Sequence, residues 1–377
     1  MEFKLIFKKI NNTLNAEEKA IFDAWYTESP EHRAYFERVL KNHDKDLDLV
    51  DIQKGWDQVS SKIDTGRKKA NYWRYAAAIA ALFVLGTLAL VLSPDSQSPV
   101  VDNEVPVKKD SIQPGMDKAV LTLEDGSTVA LEEGGSYSKD NLSSNGTSLT
   151  YAKSKGSVET VLHNVLTIPR GGQFSLSLAD GTQVWLNSET RLRYPIAFPK
   201  NATRQVELLY GEAYFEVSPS SAHEGARFVV KQKEQHIEVL GTAFNIKAYV
   251  GEDFVATTLV EGSIVLKKGP IAKELSPGQQ SVVNIRTDEV RIAEVDVFNE
   301  VSWKNGFFSF EDKPLGEIMT VLSRWYDVEV VYGDEEVKGK TFNGVFKKSS
   351  GIDEILMMIG NTNEVTYSIN QKTITMK

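Results

Sequence analysis

The residue types that most often carry out chemistry are sparse in this 377-residue chain. It has no cysteines, which excludes disulfides, thiolate metal ligands and thiol nucleophiles together. Serine and aspartate are present, but no nucleophile elbow accompanies them. The histidines lack the paired spacing of a metal site: His32, His43, His163, His223 and His236. We therefore expect no enzyme active site, no metal and no cofactor.

Two further motifs have simpler structural explanations. Gly171 and Gly172 follow Arg170 but lack the lysine and the spacing of a phosphate-binding loop, so we expect a turn. Trp185 and Trp303 could stack on sugar rings, yet their alternating strand positions are more typical of a core.

The strongest feature of the sequence is a charge-free apolar run at residues 75–92, which reads YAAAIAALFVLGTLALVL. As a helix it would be roughly 27 Å long, close to the thickness of a bilayer's hydrocarbon core. A cleaved signal peptide would lie nearer the N-terminus, and a buried core helix would carry more polar positions. We therefore predict one transmembrane helix. The residues assigned to this anchor are Trp73, Arg74, Tyr75, Leu85 and Leu92.

The charges on either side of the span predict its orientation. Basic residues cluster before it, and none follows it until Lys108. This bias places the N-terminus in the cytoplasm. Because acidic and basic residues nearly balance before Tyr75, the net charge of −9 belongs to the remainder of the chain. Such an acidic region argues against binding to nucleic acid or anionic lipid there.

Residues 1–70 have the pattern of a small all-α bundle. Asn15 is a capping residue for a helix predicted over 16–27, and two more helical stretches follow. Large apolar residues could close a small core, but there are enough of them to leave a face for helices of a partner. The candidates for that face are Ile21, Phe22, Trp25, Tyr26, Phe36 and Trp56.

The remainder of the chain reads as a tether and two domains. Residues 93–116 contain four prolines and predict an extended tether. Residues 117–296 predict a mainly-β domain, either a sandwich, a barrel or a β-helix-like stack. Within it, Asp-Gly turns at Asp125 and Asp180 mark a repeated hairpin, and Gly211-Glu212 predicts another turn.

Residues 301–377 predict a small α+β domain of order β-α-β-β-α-β with a closing hairpin. The predicted fold is therefore multi-domain, with an all-α bundle, one transmembrane helix, a mainly-β domain and an α+β domain.

Several motifs resemble the FecR family of membrane anti-sigma factors. They are HNVLTIPRGGQF at 163–174, LADGTQVWLN at 178–187, LRYP at 192–195, GEAYFEV at 211–217, VLGTAFN at 239–245 and LVEGS at 259–263. WKNG at 303–306 and SRWYD at 323–327 resemble the C-terminal domain of Bacteroidetes members, which is similar to the short signalling domains of secretins and TonB-dependent receptors.

The resemblance implies a relay across two membranes. The bundle would bind an extracytoplasmic-function sigma factor, and the protein would lie in the inner membrane with its C-terminal bulk in the periplasm. There it would meet the N-terminal signalling domain of an outer-membrane TonB-dependent transducer that reports a nutrient, and site-specific proteases could take part. Some relatives also cleave themselves at the peptide corresponding to Gly241-Thr242, although Gly241 could equally make a bend before a strand.

Two other functions remain open from the sequence. The chain could be a periplasmic envelope adaptor whose bundle serves only as an anchor, or it could bind glycans without controlling a sigma factor.

Overall fold

The computed structural model describes residues 9, 14, 16–28, 33, 36, 112–152, 161–200, 202–361 and 365–377. The chain divides into two compact units, residues 1–108 and 109–377. Among the described residues, no helix has both the length and the apolar character needed to cross a membrane. The predicted span at 75–92 and most of the predicted tether lie outside the described residues, as does the bundle after residue 28 apart from Arg33 and Phe36.

In the N-terminal unit, helix α1 (Ala16–Glu28) forms where the sequence predicts a helix over 16–27. Phe22 is buried, and Leu14, Trp25, Tyr26 and Phe36 pack around it. An apolar cluster therefore forms within this unit, as the helical spacing of these residues predicts.

The second unit begins with eighteen strands. They are β1 (Met116–Thr122), β2 (Thr128–Glu132), β3 (Tyr137–Lys139), β4 (Leu142–Ser144), β5 (Ser148–Tyr151), β6 (His163–Ile168), β7 (Gly172–Ser177), β8 (Gln183–Leu186), β9 (Thr190–Pro195), β10 (Arg204–Glu216), β11 (Phe228–Gln232), β12 (Gln235–Val239), β13 (Ala243–Ala248), β14 (Phe254–Glu261), β15 (Ile264–Lys268), β16 (Ile271–Leu275), β17 (Gln279–Asn284) and β18 (Val290–Glu294). We call this part of the chain the β domain.

The strands form two sheets around one hydrophobic core, so the domain is mainly β, as the sequence predicts. The first sheet contains β1, β2, β6, β9, β11, β12, β15 and β16. The second contains β3, β4, β5, β7, β8, β13, β14, β17 and β18. Both sheets contribute fully buried side chains to the core, among them Leu166, Leu176, Leu192, Phe215, Phe228 and Phe244.

Strand β10 belongs to both sheets and corrects one prediction. Its first half pairs with β9 and β11 and its second half with β8 and β13, so the turn predicted at Gly211-Glu212 is wrong. Instead the strand bends at Gly211, where φ is 101° and an added Cβ would lie 2.3 Å from Thr190 Oγ1. Only glycine tolerates both conditions, and the bend carries the strand between sheets without ending it.

The repeated hairpin is confirmed, although its two copies differ in burial. The β1–β2 turn and the β7–β8 turn each use an aspartate whose Oδ1 accepts a backbone N–H two residues later, at 2.8 Å for Asp125 and 2.9 Å for Asp180. Asp180 also forms an ion pair with Arg204 at 2.7 Å, and each of these two side chains is only 2% exposed. The second turn therefore joins the core of the domain, whereas Asp125 remains in solvent.

Removal of the Asp180 carboxylate should destabilise the β domain much more than removal of its counterpart. Asp180→Ala leaves the Arg204 guanidinium buried without its anionic partner, which costs about 3–5 kcal/mol in other proteins. Asp125→Ala removes the equivalent turn contact at an exposed site and serves as the matched control. Thermal unfolding followed by circular dichroism should show a large fall in Tm for Asp180→Ala alone. Equal, small shifts in both variants would contradict this role for the ion pair.

The remaining chain forms a short connector and the C-terminal domain. The connector contains α2 (Val297–Val301) and a 3-10 turn (Ser302–Asn305). The domain contains β19 (Phe307–Pro314), α3 (Leu315–Tyr326), β20 (Glu329–Tyr332), β21 (Thr341–Lys347), α4 (Ile352–Gly360), β22 (Tyr367–Asn370) and β23 (Thr373–Met376). This order matches the predicted β-α-β-β-α-β arrangement with its closing hairpin.

The C-terminal domain has its own hydrophobic core beneath two small sheets. Strands β19 and β21 pair antiparallel, while β23 lies between β20 and β22. Helices α3 and α4 supply most of the buried apolar residues, including Leu315, Met319, Leu322, Ile355 and Leu356. Helix α3 ends at Asp327, whose φ of 52° is left-handed, and this ending leaves carbonyl groups of its last turn available to other partners.

Candidate functional site

Only some of the residues predicted to bind a partner in the N-terminal unit are exposed to solvent. Four of them form one aromatic cluster: Phe22, Trp25, Tyr26 and Phe36. The rings of Phe22 and Phe36 meet edge to face with centroids 5.1 Å apart. Ile21 is 44% exposed, so it is available for a partner, whereas Trp56 lies outside the described residues.

The candidate cleavage site, Gly241-Thr242, lies between β12 and β13. The Thr242 hydroxyl donates a hydrogen bond to the Ser263 carbonyl at 3.0 Å, and the Thr242 side chain is buried. Neither Gly241 nor Thr242 has a left-handed φ. A backbone carbonyl is a poor general base for activating the hydroxyl. The geometry therefore favours the prediction of a bend that precedes a strand.

No metal centre is found in the part of the chain that the structure describes, where no three His, Asp or Glu side chains lie close enough to share an ion. His223 bonds to the Ser218 hydroxyl at 2.9 Å. His32 and His43 lie outside the described residues.

The most concentrated set of charged and aromatic residues lies where the β domain meets the C-terminal domain and the connector. We call this surface the seam. Its members are Arg170, Gly171, Gln173, Trp185, Glu189, Glu212, Tyr249 and Glu252 on the β domain, and Trp303, Lys304, Arg324, Trp325 and Lys348 on the connector and C-terminal domain.

Arg170 connects the seam to the end of helix α3. Its Nη2 donates to the carbonyls of Ser323 at 2.7 Å and Val328 at 2.8 Å, and its Nε lies 3.4 Å from Asp327. The Ser323 carbonyl already accepts the Val328 N–H at 3.1 Å, so Arg170 adds a further donor to it. A cation is favourable at a helix C-terminus because it opposes the negative end of the helix dipole. The loop predicted as a simple turn therefore caps a helix of the next domain.

Arg324 is the reciprocal contact from the C-terminal domain. Its guanidinium lies 3.0 Å from both Glu189 and Glu252, and its carbon Cζ is 3.7 Å from the centre of the Tyr249 ring. Glu189 also contacts Arg170 at 3.3 Å, so this one carboxylate joins arginines from both domains. Bidentate and stacked arginines of this kind give an interface a defined orientation.

Glu212 is a buried carboxylate beside these arginine contacts. It follows the bend at Gly211 and accepts hydrogen bonds from the side-chain amides of Asn187 and Asn245, each at 2.9 Å. The Tyr249 hydroxyl donates a third at 3.3 Å. Burial and the nearby Glu212 charge raise the pKa of Tyr249 well above its ordinary value. The tyrosine therefore stays neutral and acts as a donor.

Lys348 inserts an ammonium group into an aromatic enclosure. Its Nζ lies 3.8 Å from the centre of the Trp325 ring and 5.7 Å from that of Trp303, and it donates to Gln173 Oε1 at 2.8 Å. Burial lowers the pKa of Lys348 to about 7, although the negative charges of Glu212 and Asp117 act in the opposite direction. The ammonium is thus desolvated with only partial compensation.

Lys304 covers one face of the Trp185 ring, one of the two tryptophans considered for sugar binding. Its Nζ lies 4.0 Å from the Trp185 ring centre and 4.3 Å from that of Tyr214, and it pairs with Glu216. The Trp303 indole N–H is buried and has no hydrogen-bond partner in the structure. A crevice of about 180 Å³ lies between these groups. Because Lys304 already covers one face of the Trp185 ring, that face is not open to a sugar. The arrangement is more typical of an interface between two domains.

Little in the sequence predicts the contacts of the seam. Arg170 and Gly171 were predicted only as a turn, and Trp303 only as a core residue. The clearest available signal was the pair of family motifs, PRGG near residue 170 and SRWYD at 323–327, which contact each other across more than 150 positions.

Replacement of Lys348 should alter how stability depends on pH. The pKa of Lys348 is about 7 in the folded chain and returns to the ordinary 10.5 on unfolding. The free-energy cost of burying the charged Lys348 side chain is therefore fully present below pH 7. It decreases as the pH rises above 7, because the buried amine loses its proton. Relative to Lys348→Met, the wild-type chain should gain at most about 1.4 kcal/mol per pH unit between pH 7 and 9.

Urea unfolding of the full chain at pH 7, 8 and 9, followed by tryptophan fluorescence, measures this difference. Parallel pH profiles for the two proteins would show that the Lys348 ammonium is not desolvated. Lys347→Met, at the neighbouring exposed position, is the matched control and should keep the wild-type profile.

Comparison with known proteins finds family matches in the β domain and in the C-terminal domain. Residues 164–265 match the FecR protein family, and residues 307–376 match the FecR C-terminal family. Two crystal structures of a putative anti-sigma factor from Parabacteroides distasonis are 27% and 28% identical to the chain. They cover 56% and 57% of this chain and 98% of their own, each with a TM-score of 0.51. No curated protein matches the sequence.

The matched segments contain the motifs that suggested the resemblance, except for His163 and for WKNG at 303–306, which precedes the second match. The Arg170 and Arg324 contacts link the two matched parts of the chain. The chain is therefore a member of the FecR family, with a FecR domain followed by a FecR C-terminal domain.

Proposed function

We propose that the chain is a transmembrane anti-sigma factor that binds an extracytoplasmic-function sigma factor in the cytoplasm. In this proposal it crosses the inner membrane once at residues 75–92, and its β and C-terminal domains lie in the periplasm. The observation that carries the proposal is the joint presence of the FecR and FecR C-terminal domains. The likeness to a structure titled as a putative anti-sigma factor supports it.

The N-terminal aromatic cluster provides the sigma-binding part of the proposal. Phe22 closes a small core with Trp25 and Tyr26, while Ile21 on the same helix stays exposed. A small helical unit with an exposed apolar position can pack against helices of a partner. Loss of the core should abolish binding by unfolding the unit, so exposed residues make the better test.

On the periplasmic side, the proposed partner is the signalling domain of an outer-membrane TonB-dependent transducer. The C-terminal domain exposes apolar side chains that a partner could cover, namely Val331, Met357 and Met358. A crevice of about 280 Å³ beside Met358 is lined by Phe310, Phe342 and Phe346. Exposed methionines and aromatics of this kind are common at protein interfaces.

Affinity capture from the native host tests the cytoplasmic half of the proposal. A tagged full-length chain, extracted in mild detergent, should retain one small sigma-70-class factor that mass spectrometry identifies. Ile21→Asp should reduce its recovery at least tenfold, because a charge would be desolvated in the interface. Lys19→Asp, at an exposed position of α1, is the matched control.

Failure to recover any sigma factor with the wild-type chain would contradict the proposal. That result would favour the envelope adaptor, which needs only an anchor in the cytoplasm.

Self-cleavage at Gly241-Thr242 is a separate question. Because the Thr242 hydroxyl donates to the Ser263 carbonyl, we predict that the chain stays intact. Immunoblots of a protein with tags at both ends should show one full-length band, identical in wild type and Thr242→Ala. Two fragments in the wild type that disappear in Thr242→Ala would overturn this prediction. Thr258→Ala, on strand β14, controls for effects of removing a buried threonine hydroxyl.

A further inference from the structure

We propose that the β domain and the C-terminal domain form a clasp on residues 112–116, and that separation of the two domains releases this segment. The segment precedes β1, so it is the last part of the predicted tether. The inference rests on the proposed function only in that a partner of the C-terminal domain would supply the signal. The clasp itself is a property of this chain.

The segment contacts both domains within five residues. Ile112 packs against the hydrophobic core of the C-terminal domain. Gly115 lies directly on the Trp325 indole, where an added Cβ would be only 2.7 Å from Cε3 of the ring. Met116 N–H donates to the carbonyl of Gly171 in the β domain at 3.1 Å. The backbone is thus held between the two domains, and glycine is required for the approach to Trp325.

Gly171 also connects the segment to the C-terminal domain, because its backbone bonds to both. Its carbonyl accepts from Met116, and its own N–H donates to the carbonyl of Arg324 at 2.7 Å. Its φ of 64° is left-handed, and an added Cβ would lie 3.5 Å from both Asp327 and the Trp325 carbonyl oxygen. Movement of helix α3 away from the β domain would therefore break the hydrogen bond between Gly171 N–H and the Arg324 carbonyl. Gly171 would then no longer be held in place to accept the hydrogen bond from Met116.

The segment contacts the seam at Gly171 and at the Trp325 ring, whereas charged side chains of the seam hold α3 in this position. Arg170 binds the carbonyls of Ser323 and Val328, and Arg324 binds Glu189 and Glu252. These contacts are charged and lie partly in solvent, with Glu189 36% exposed. Interfaces between domains that are rich in polar contacts are typically weaker than an apolar core, which would allow this one to open while each domain remains folded.

The two sets of contacts must be thermodynamically coupled if they form one clasp. Weakening the seam should loosen the segment, and weakening the segment should loosen the seam, because coupling between sites is reciprocal. A local contact that happens to lie near the seam would not behave in this way. This reciprocity separates the proposal from a purely structural role.

Amide hydrogen exchange of the purified full-length chain, read by mass spectrometry, tests the coupling. Arg324→Ala removes only the side chain that binds Glu189, Glu252 and Tyr249. Exchange of residues 112–116 should accelerate at least tenfold in this variant. Arg291→Ala, on β18, removes an exposed ion pair with Glu289 and should leave that exchange unchanged.

The reciprocal variant is Gly115→Ala, whose Cβ would press against the Trp325 ring. Exchange at Gly171 and at residues 323–328 should then accelerate, although the substitution leaves every charged contact of the seam in place. Acceleration confined to residues 112–116 would overturn the proposal, as would unchanged exchange of that segment in Arg324→Ala.

Protection of α4 shows whether the C-terminal domain remains folded. If Arg324→Ala loses that protection, Glu189→Gln replaces it as the test, because it weakens both arginine contacts from the β-domain side. The experiment requires neither sigma factor nor transducer. Failure of the clasp would therefore leave the anti-sigma proposal standing, and failure to capture a sigma factor would leave the clasp standing.

Discussion

The desolvation of charge between the β domain and the C-terminal domain limits how tightly the two can dock. Lys348 brings its ammonium into an enclosure where only Gln173, aromatic ring faces and more distant carboxylates replace water. Such a group costs free energy when the seam forms, because mutual attraction seldom repays full desolvation. The arginine contacts of Arg170 and Arg324 offset this cost and fix the orientation of the domains.

The β domain is shaped to present these partners at one surface. The bend of β10 at Gly211 passes the strand into the second sheet and places Glu212 next to Asn245 of β13. The β6–β7 loop presents Arg170 to α3. Both features use glycines with positive φ, at Gly211 and Gly171, and at Gly211 a side chain would also displace Thr190. The backbone of one domain is therefore specialised for contact with the other.

The sequence predicts most local elements correctly because their signals are local. Asp-Gly turns with alternating apolar residues define the hairpins at Asp125 and Asp180. It fails where a residue's role depends on distant parts of the chain. Gly211 looks like any turn glycine until Thr190 is known to press against it, and Arg170 looks like part of a loop until α3 is placed beside it.

A clasp with a charged interface suits the mechanical demands of the proposed architecture. A single span joined to outer domains by a proline-containing tether cannot transmit a rotation, so a signal must change what is bound or accessible. To shift a two-state equilibrium from 1:99 to 99:1, a partner must prefer the open state by about 10⁴-fold, or about 5.5 kcal/mol. An interface packed like an apolar core would place the open state beyond the reach of such a partner. In the proposed clasp, the charged contacts of the seam and the buried Lys348 would keep the two states close enough in free energy for one binding event to exchange them.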